Sequence, residues 1–162
     1  MLGGAAARHA WLAATAKGRA VVSSTPQVGY APGVYDMFHV GHLNILRRAK
    51  LECDYLIAGV VTDEVVEQIK GRRPVVPLFE RLEVVQSIRF VDEAVADESE
   101  EKFAMWERLR FDVIFKGDDW RGTPKGDRMD AAFAEVGVEV RYLPYTRKTS
   151  STALRALLTG EG

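Results

Sequence analysis

The chain predicts an α/β domain: an open sheet of about five parallel strands with helices on both faces, in three layers. Two observations carry this. From residue 26 onward, short β-branched runs alternate with stretches whose apolar residues recur at helical spacing. One run, Tyr55 to Val61, is apolar without any polar alternation, as in a strand covered on both faces. Strands separated by helices pair in parallel through right-handed crossovers, which gives three layers.

Val28 to Ala31 reads as the first strand. A helix follows from about Gly41 to Glu52, with Leu43, Leu46, Ala49 and Cys53 on one face. After the strand Tyr55 to Val61, Thr62-Asp63-Glu64 opens a helix carrying Val65, Val66 and Ile69. Leu78, Leu82, Val85 and Ile88 mark another helix, and Val91 to Ala96 a third strand. Phe103, Trp106 and Leu109 stripe the next helix, before the strand Asp112 to Lys116. Ala131 to Val136 is expected to be helical and Val138 to Leu143 a strand, and Ser151 to Leu158 closes the chain as a helix capped by Ser150 or Ser151.

Composition removes several classes. The 162 residues suit a single domain. A hydrophobic share of 47% supports a core, and no stretch approaches the roughly 20 apolar residues of a membrane span. Lys plus Arg number 22 against 23 Asp plus Glu, a net charge of −1, so no basic bias points to nucleic acid. Cys53 stands alone, which leaves no internal disulfide and makes the cytoplasm the expected setting. Residues 1–25 are alanine-rich and read as an N-terminal extension to a domain spanning 26–162. Ala14-Thr15-Ala16 resembles a cleavage site, but no basic cluster precedes it, so export is not expected.

In parallel α/β sheets ligands bind beyond the carboxyl ends of the strands, where strand order reverses. The unusual polar residues fall at such ends. The segment Gly33-Val34-Tyr35-Asp36-Met37-Phe38-His39-Val40-Gly41-His42 puts two imidazoles three residues apart at a helix start. Gly41 allows close approach to the backbone, and the free N–H groups and positive dipole end of the helix suit phosphate. No P-loop and no G-x-G-x-x-G turn is present. Zinc is disfavoured because no third ligand follows at useful spacing. Taken alone, the pair could equally cap the helix.

The same segment resembles the H-x-G-H signature of the cytidylyltransferases, within a wider nucleotidyltransferase superfamily of Rossmann-like fold. Val61-Thr62-Asp63-Glu64 resembles that family's [ST]-D-E, and Lys70-Gly71 its lysine-bearing loop. Ile88-Arg89-Phe90-Val91-Asp92-Glu93 is similar to R-[YF]-V-D-E. Lys116-Gly117-Asp118-Asp119-Trp120 resembles the G-D-D-W of bacterial glycerol-3-phosphate cytidylyltransferases. The final motif departs: Tyr145 stands where an arginine is usual and Lys148 where a glycine is usual, while Thr146, Ser150, Ser151 and Thr152 match.

The resemblance implies transfer of CMP from CTP to a small phosphorylated alcohol, glycerol 3-phosphate foremost, with release of pyrophosphate. It implies that His39, His42 and Lys70 are catalytic. Gly33, Val34, Tyr35, Asp36, Gly41, Lys116, Gly117, Asp118, Thr146, Arg147, Ser150, Ser151 and Thr152 would hold the nucleotide. Asp36, Asp63, Arg89, Asp119 and Trp120 would face the acceptor, with Arg147 or Lys148 supplying the charge absent at Tyr145. Magnesium would arrive with the nucleotide rather than on a protein-built metal site. A homodimer is implied as well. An adenylyltransferase on the same scaffold and a nucleotide-binding module without turnover are the alternatives.

Overall fold

A computed structural model of the chain describes residues 26–146 and 149–160. The N-terminal extension, Arg147 and Lys148 lie outside the described residues. Five strands form one parallel sheet: β1 (Val28–Gly33), β2 (Tyr55–Val61), β3 (Glu93–Asp97), β4 (Val113–Gly117) and β5 (Glu139–Leu143), in the order β3-β2-β1-β4-β5. The helices are α1 (Val40–Leu51), α2 (Asp63–Lys70), α3 (Leu78–Gln86), α4 (Lys102–Leu109), α5 (Pro124–Ala134) and α6 (Ser151–Thr159). A single 3-10 turn, Asp118–Trp120, follows β4.

Alternating strand residues feed two cores. On one face Leu46 and Ala49 of α1 and Val85 of α3 pack on Leu56, Ala58, Val60, Val113 and Phe115. On the other, Met105 and Leu109 of α4 and Met129 and Phe133 of α5 pack on Val28, Tyr30, Ile57 and Ile114. The sheet is therefore the middle layer of three. Its order reverses between β1 and β4, where α1 leaves toward one face and α5 toward the other.

Three of the differences from the expected boundaries have a clear physical cause or consequence. β1 runs on to Gly33, so the histidine loop is shorter and more constrained than the sequence suggests. β3 begins at Glu93, because Asp92 is spent on the preceding turn: its carboxylate accepts from the Leu56 N–H at 2.7 Å and from Lys50 Nζ at 2.6 Å. α5 begins at Pro124 rather than Ala131, since Thr123 caps it through the Gly126 N–H at 3.1 Å and proline is favoured in a first turn. Its opening turn is polar, which hides it from an apolar-periodicity reading.

Candidate active site

Beyond the carboxyl ends of β1 and β4 lies a cleft of about 480 Å³. The local chemistry of α1 sets up one wall. His39 is its N-cap: its Nδ1 accepts from the Gly41 N–H at 3.1 Å, and the His42 Nδ1 accepts from the His39 N–H at 3.3 Å. Two imidazoles thus build a reciprocal capping box, a role usually taken by Ser or Thr with Glu or Gln. Because both Nδ1 atoms accept, a neutral ring must carry its proton on Nε2. His39 Nε2–H accordingly faces Ser151 Oγ at 3.3 Å, and the Ser151 hydroxyl donates to the Asp36 carbonyl at 2.7 Å. No protein acceptor among the described residues takes the His42 Nε2–H.

The rings stack with centroids 3.9 Å apart, and His42 also meets Tyr35 and Phe38 edge-on or tilted. Burial pushes the His42 imidazole down to about 3, with His39 adding to the effect, and burial lowers His39 too. Near neutral pH both are uncharged N–H donors. A side chain at Gly41 would lie 2.8 Å from His39 Cε1, so the capping geometry needs glycine there. The loop before the helix holds Tyr35 and Met37 at φ 55° and 49°, left-handed values that non-glycine residues rarely adopt. Such outliers persist where surrounding contacts enforce them. Here the buried Tyr35 hydroxyl donates to the Ala31 carbonyl at 2.8 Å.

Asp36 is buried and fully engaged. Its oxygens accept from the Val75 and Val76 N–H groups, each at 2.9 Å, and pair with Arg155 at 2.8 Å. It orders the loop after Lys70 and the closing helix, and both carboxylate oxygens are taken by protein donors. Asp63 is likewise bound, to Arg81 and the Leu78 N–H, and does not line the cleft. Arg81 and Arg155 were not foreseen as site residues. Arg81, almost fully buried, donates to the carbonyls of Val34, Val61 and Val76 and to Asp63, tying the ends of β1 and β2 to the loop. Its position on the Leu78–Val85 face of α3 was the available signal.

Lys70 lines the cleft from an exposed position, and partial desolvation, then Arg72 and Arg155, lower the pKa of its ammonium. Arg73 instead pairs with Glu64 and Glu67 on the surface. Gly33, Val34, Gly117, Asp119, Ser150 and Thr152 also line the cleft. Lys116 stands 3.9 Å over the Trp120 ring, and burial lowers its ammonium to about 7, aided by Lys102. Asp118 faces a neighbouring depression, where it accepts from the Tyr145 N–H at 3.1 Å. Thr146 is held by Asn44 at 3.1 Å and does not line the cleft. Arg89 is exposed beside Phe90 and apart from the other residues. It precedes β3, and in a parallel sheet that places it at the amino-terminal rim, opposite the cleft.

The matching family covers residues 30–157 and is described as cytidylyltransferase-like. The chain belongs to this family. It is 34% identical over 130 residues to the glycerol-3-phosphate cytidylyltransferase of Staphylococcus aureus, covering 80% of this chain and 92% of that one. It is 38% identical over 117 residues to the FAD synthase of Pyrococcus abyssi, covering 72% and 79%. It is 36% identical over 128 residues to the ethanolamine-phosphate cytidylyltransferase of Arabidopsis thaliana, covering 76% of this chain but 30% of that protein. A lipopolysaccharide core biosynthesis protein from Thermoplasma volcanium shares the fold, with a TM-score of 0.64 at 22% identity over 75% of this chain and 99% of that one. This member of the cytidylyltransferase-like family is a nucleotidyltransferase. No helix among the described residues is long and apolar enough to cross a membrane.

Proposed function

We propose that this protein moves CMP from CTP to a small phosphorylated alcohol, glycerol 3-phosphate foremost, and releases pyrophosphate. The observation that carries this reading is the neutral histidine pair at a helix start, where the His42 Nε2–H has no protein acceptor among the described residues and the His39 Nε2–H is held only by Ser151. A phosphate monoester is largely dianionic at neutral pH, its second pKa being about 6. Its oxygen attacks the α-phosphorus of CTP, a new P–O bond forms, and the bond to the β-phosphate breaks with its electron pair leaving on pyrophosphate. No proton need be removed from the nucleophile. His39 and His42 therefore act as hydrogen-bond donors to the charge that builds on the α-phosphate, and Lys70 as a cation beside it.

Asp119 is a carboxylate of the cleft that fits magnesium entering with the nucleotide, the remaining oxygen ligands being phosphate and water. Bound there, magnesium would neutralise triphosphate charge. No group of three or more metal-ligating side chains is found among the described residues.

The acceptor's head follows from the aromatic groups. A choline-type cation would want an open aromatic cradle. Tyr35 is buried in the core and one face of Trp120 already carries Lys116, which leaves Tyr145 as the one exposed ring of the three that could form such a cradle. A neutral polyol suits the remaining surface better. The FAD synthase relatives favour a second reading, an adenylyltransferase on the same scaffold. Pyrophosphate release, measured with CTP or ATP against a panel of phosphorylated alcohols, tests both. Turnover with CTP and glycerol 3-phosphate is expected, and turnover confined to ATP would replace the first reading by the second. A homodimer in the cytoplasm completes the proposal, its assembly being measurable by sedimentation velocity.

A further inference from the structure

The wall opposite the histidines is lined by a stripe of α5: Lys125, Arg128, Met129, Ala132 and Phe133. The spacing is i, i+3, i+4, i+7 and i+8, one continuous helical face. Its inner end is anchored, since Met129 and Phe133 belong to the core on the α4 and α5 side of the sheet. Its outer end is two exposed cations with no ion pair to any described residue. Lys125 acts electrostatically on both Lys70 and Lys116, two of the three other lysines that line the cleft, the third, Lys102, being paired with Asp97. Like charges facing one cavity repel, and in a chain of net charge −1 this concentration is local.

The position also separates this arm from the nucleotide's own cradle. α1 and its histidines belong to the layer on one face of the sheet and α5 to the layer on the other. In displacement at phosphorus the attacking and leaving oxygens lie roughly in line. Two phosphate groups must therefore approach the α-phosphorus from opposite sides, and each dianion or polyanion needs its own positive charge. On the reading of the function given above, we propose that Lys125 and Arg128 bind the phosphate of the acceptor, on the wall facing the histidine pair. They would also supply, from α5, the positive charge that Tyr145 does not.

The test uses the full chain with Lys125→Ala, Arg128→Ala, the double variant, and the charge-keeping Lys125→Arg and Arg128→Lys. Both positions are exposed, so folding should survive, and a thermal melt checks it. Initial rates at saturating CTP should show the KM for glycerol 3-phosphate rising about tenfold or more per alanine, the usual weight of a charge-assisted contact. Calorimetric affinity for CTP alone should stay unchanged, and the charge-keeping variants should recover most of the KM. An unchanged KM overturns the proposal, as does a loss of CTP affinity equal to the rise in KM. If the wild type turns over no acceptor with CTP or ATP, the functional reading falls by itself. The arm is then judged with inorganic phosphate: binding by the wild type that the double variant loses upholds it, and no binding or equal binding overturns it.

Discussion

On the proposed function, His39 and His42 each fold a helix and serve chemistry at once. Each gives its Nδ1 to the backbone of the helix start, which leaves the His42 Nε2–H without a protein acceptor among the described residues and the His39 Nε2–H facing Ser151. Replacing either by alanine should lower kcat about 10²–10³-fold, the usual cost of losing one preorganised donor, measured by pyrophosphate release. The His42 ring should not titrate in the assay range, since burial pushes it down to about 3, and burial lowers His39 in the same direction. The acid limb of the kcat/KM profile should accordingly fall near pH 6, the second ionisation of the acceptor phosphate. A phosphonate acceptor of higher second pKa should move that limb upward. A limb that stays put would assign it to the protein.

The start of α1 depends on Gly41 as much as on the histidines. Alanine there would improve helix propensity by up to about 1 kcal/mol, while its Cβ would press on the His39 ring at 2.8 Å. Gly41→Ala is therefore expected to change urea stability little and to lower kcat about tenfold or more through a displaced imidazole. α3 contributes through Arg81, whose guanidinium joins the ends of β1 and β2 to the loop bearing Val76. Arg81→Met should destabilise by about 3–5 kcal/mol, because it strands three carbonyls around a buried guanidinium site and leaves the partly buried Asp63 with the Leu78 N–H alone. Urea unfolding at constant m-value measures this.

For the molecule as a whole, the half-buried His42 ties stability to pH. A group whose folded pKa is depressed binds fewer protons than in the unfolded chain between the two values. For His42 that window runs from about 3 to the ordinary imidazole value of 6.5. Stability is held above pH 6.5 and lost as pH falls through the window, at up to about 1.4 kcal/mol per pH unit for one proton. His42→Asn should flatten that slope in acid unfolding curves. A second whole-chain dependence runs through Gly59, where a Cβ would collide with the Tyr30 hydroxyl. That hydroxyl donates to fully buried Asp97 at 2.8 Å, and Asp97 also pairs with Lys102 at 2.8 Å.

Much of this protein was legible along the chain. The periodicities of strands and helices, Gly41, and the histidines at a helix start are local signals, because propensity, capping and side-chain spacing act over a few residues. The unbroken apolar run of β2 likewise revealed a strand covered on both faces. What the chain could not show depends on distant pairings. Asp36 has the look of a ligand-facing acid, yet backbone N–H groups 39 and 40 residues away and an arginine 119 away claim its oxygens. Arg89 carries a matching motif but sits at the far rim, since strand direction decides which end of the sheet a residue occupies. Arg155 and the cations of α5 became visible only once crossovers brought separate segments to one cleft, and the partners of Arg81 only once the ends of β1 and β2 met α3. Sequence determined which elements form and that two histidines open the first helix; tertiary structure decided which charges meet, because electrostatic neighbours are set by topology and burial rather than by order along the chain.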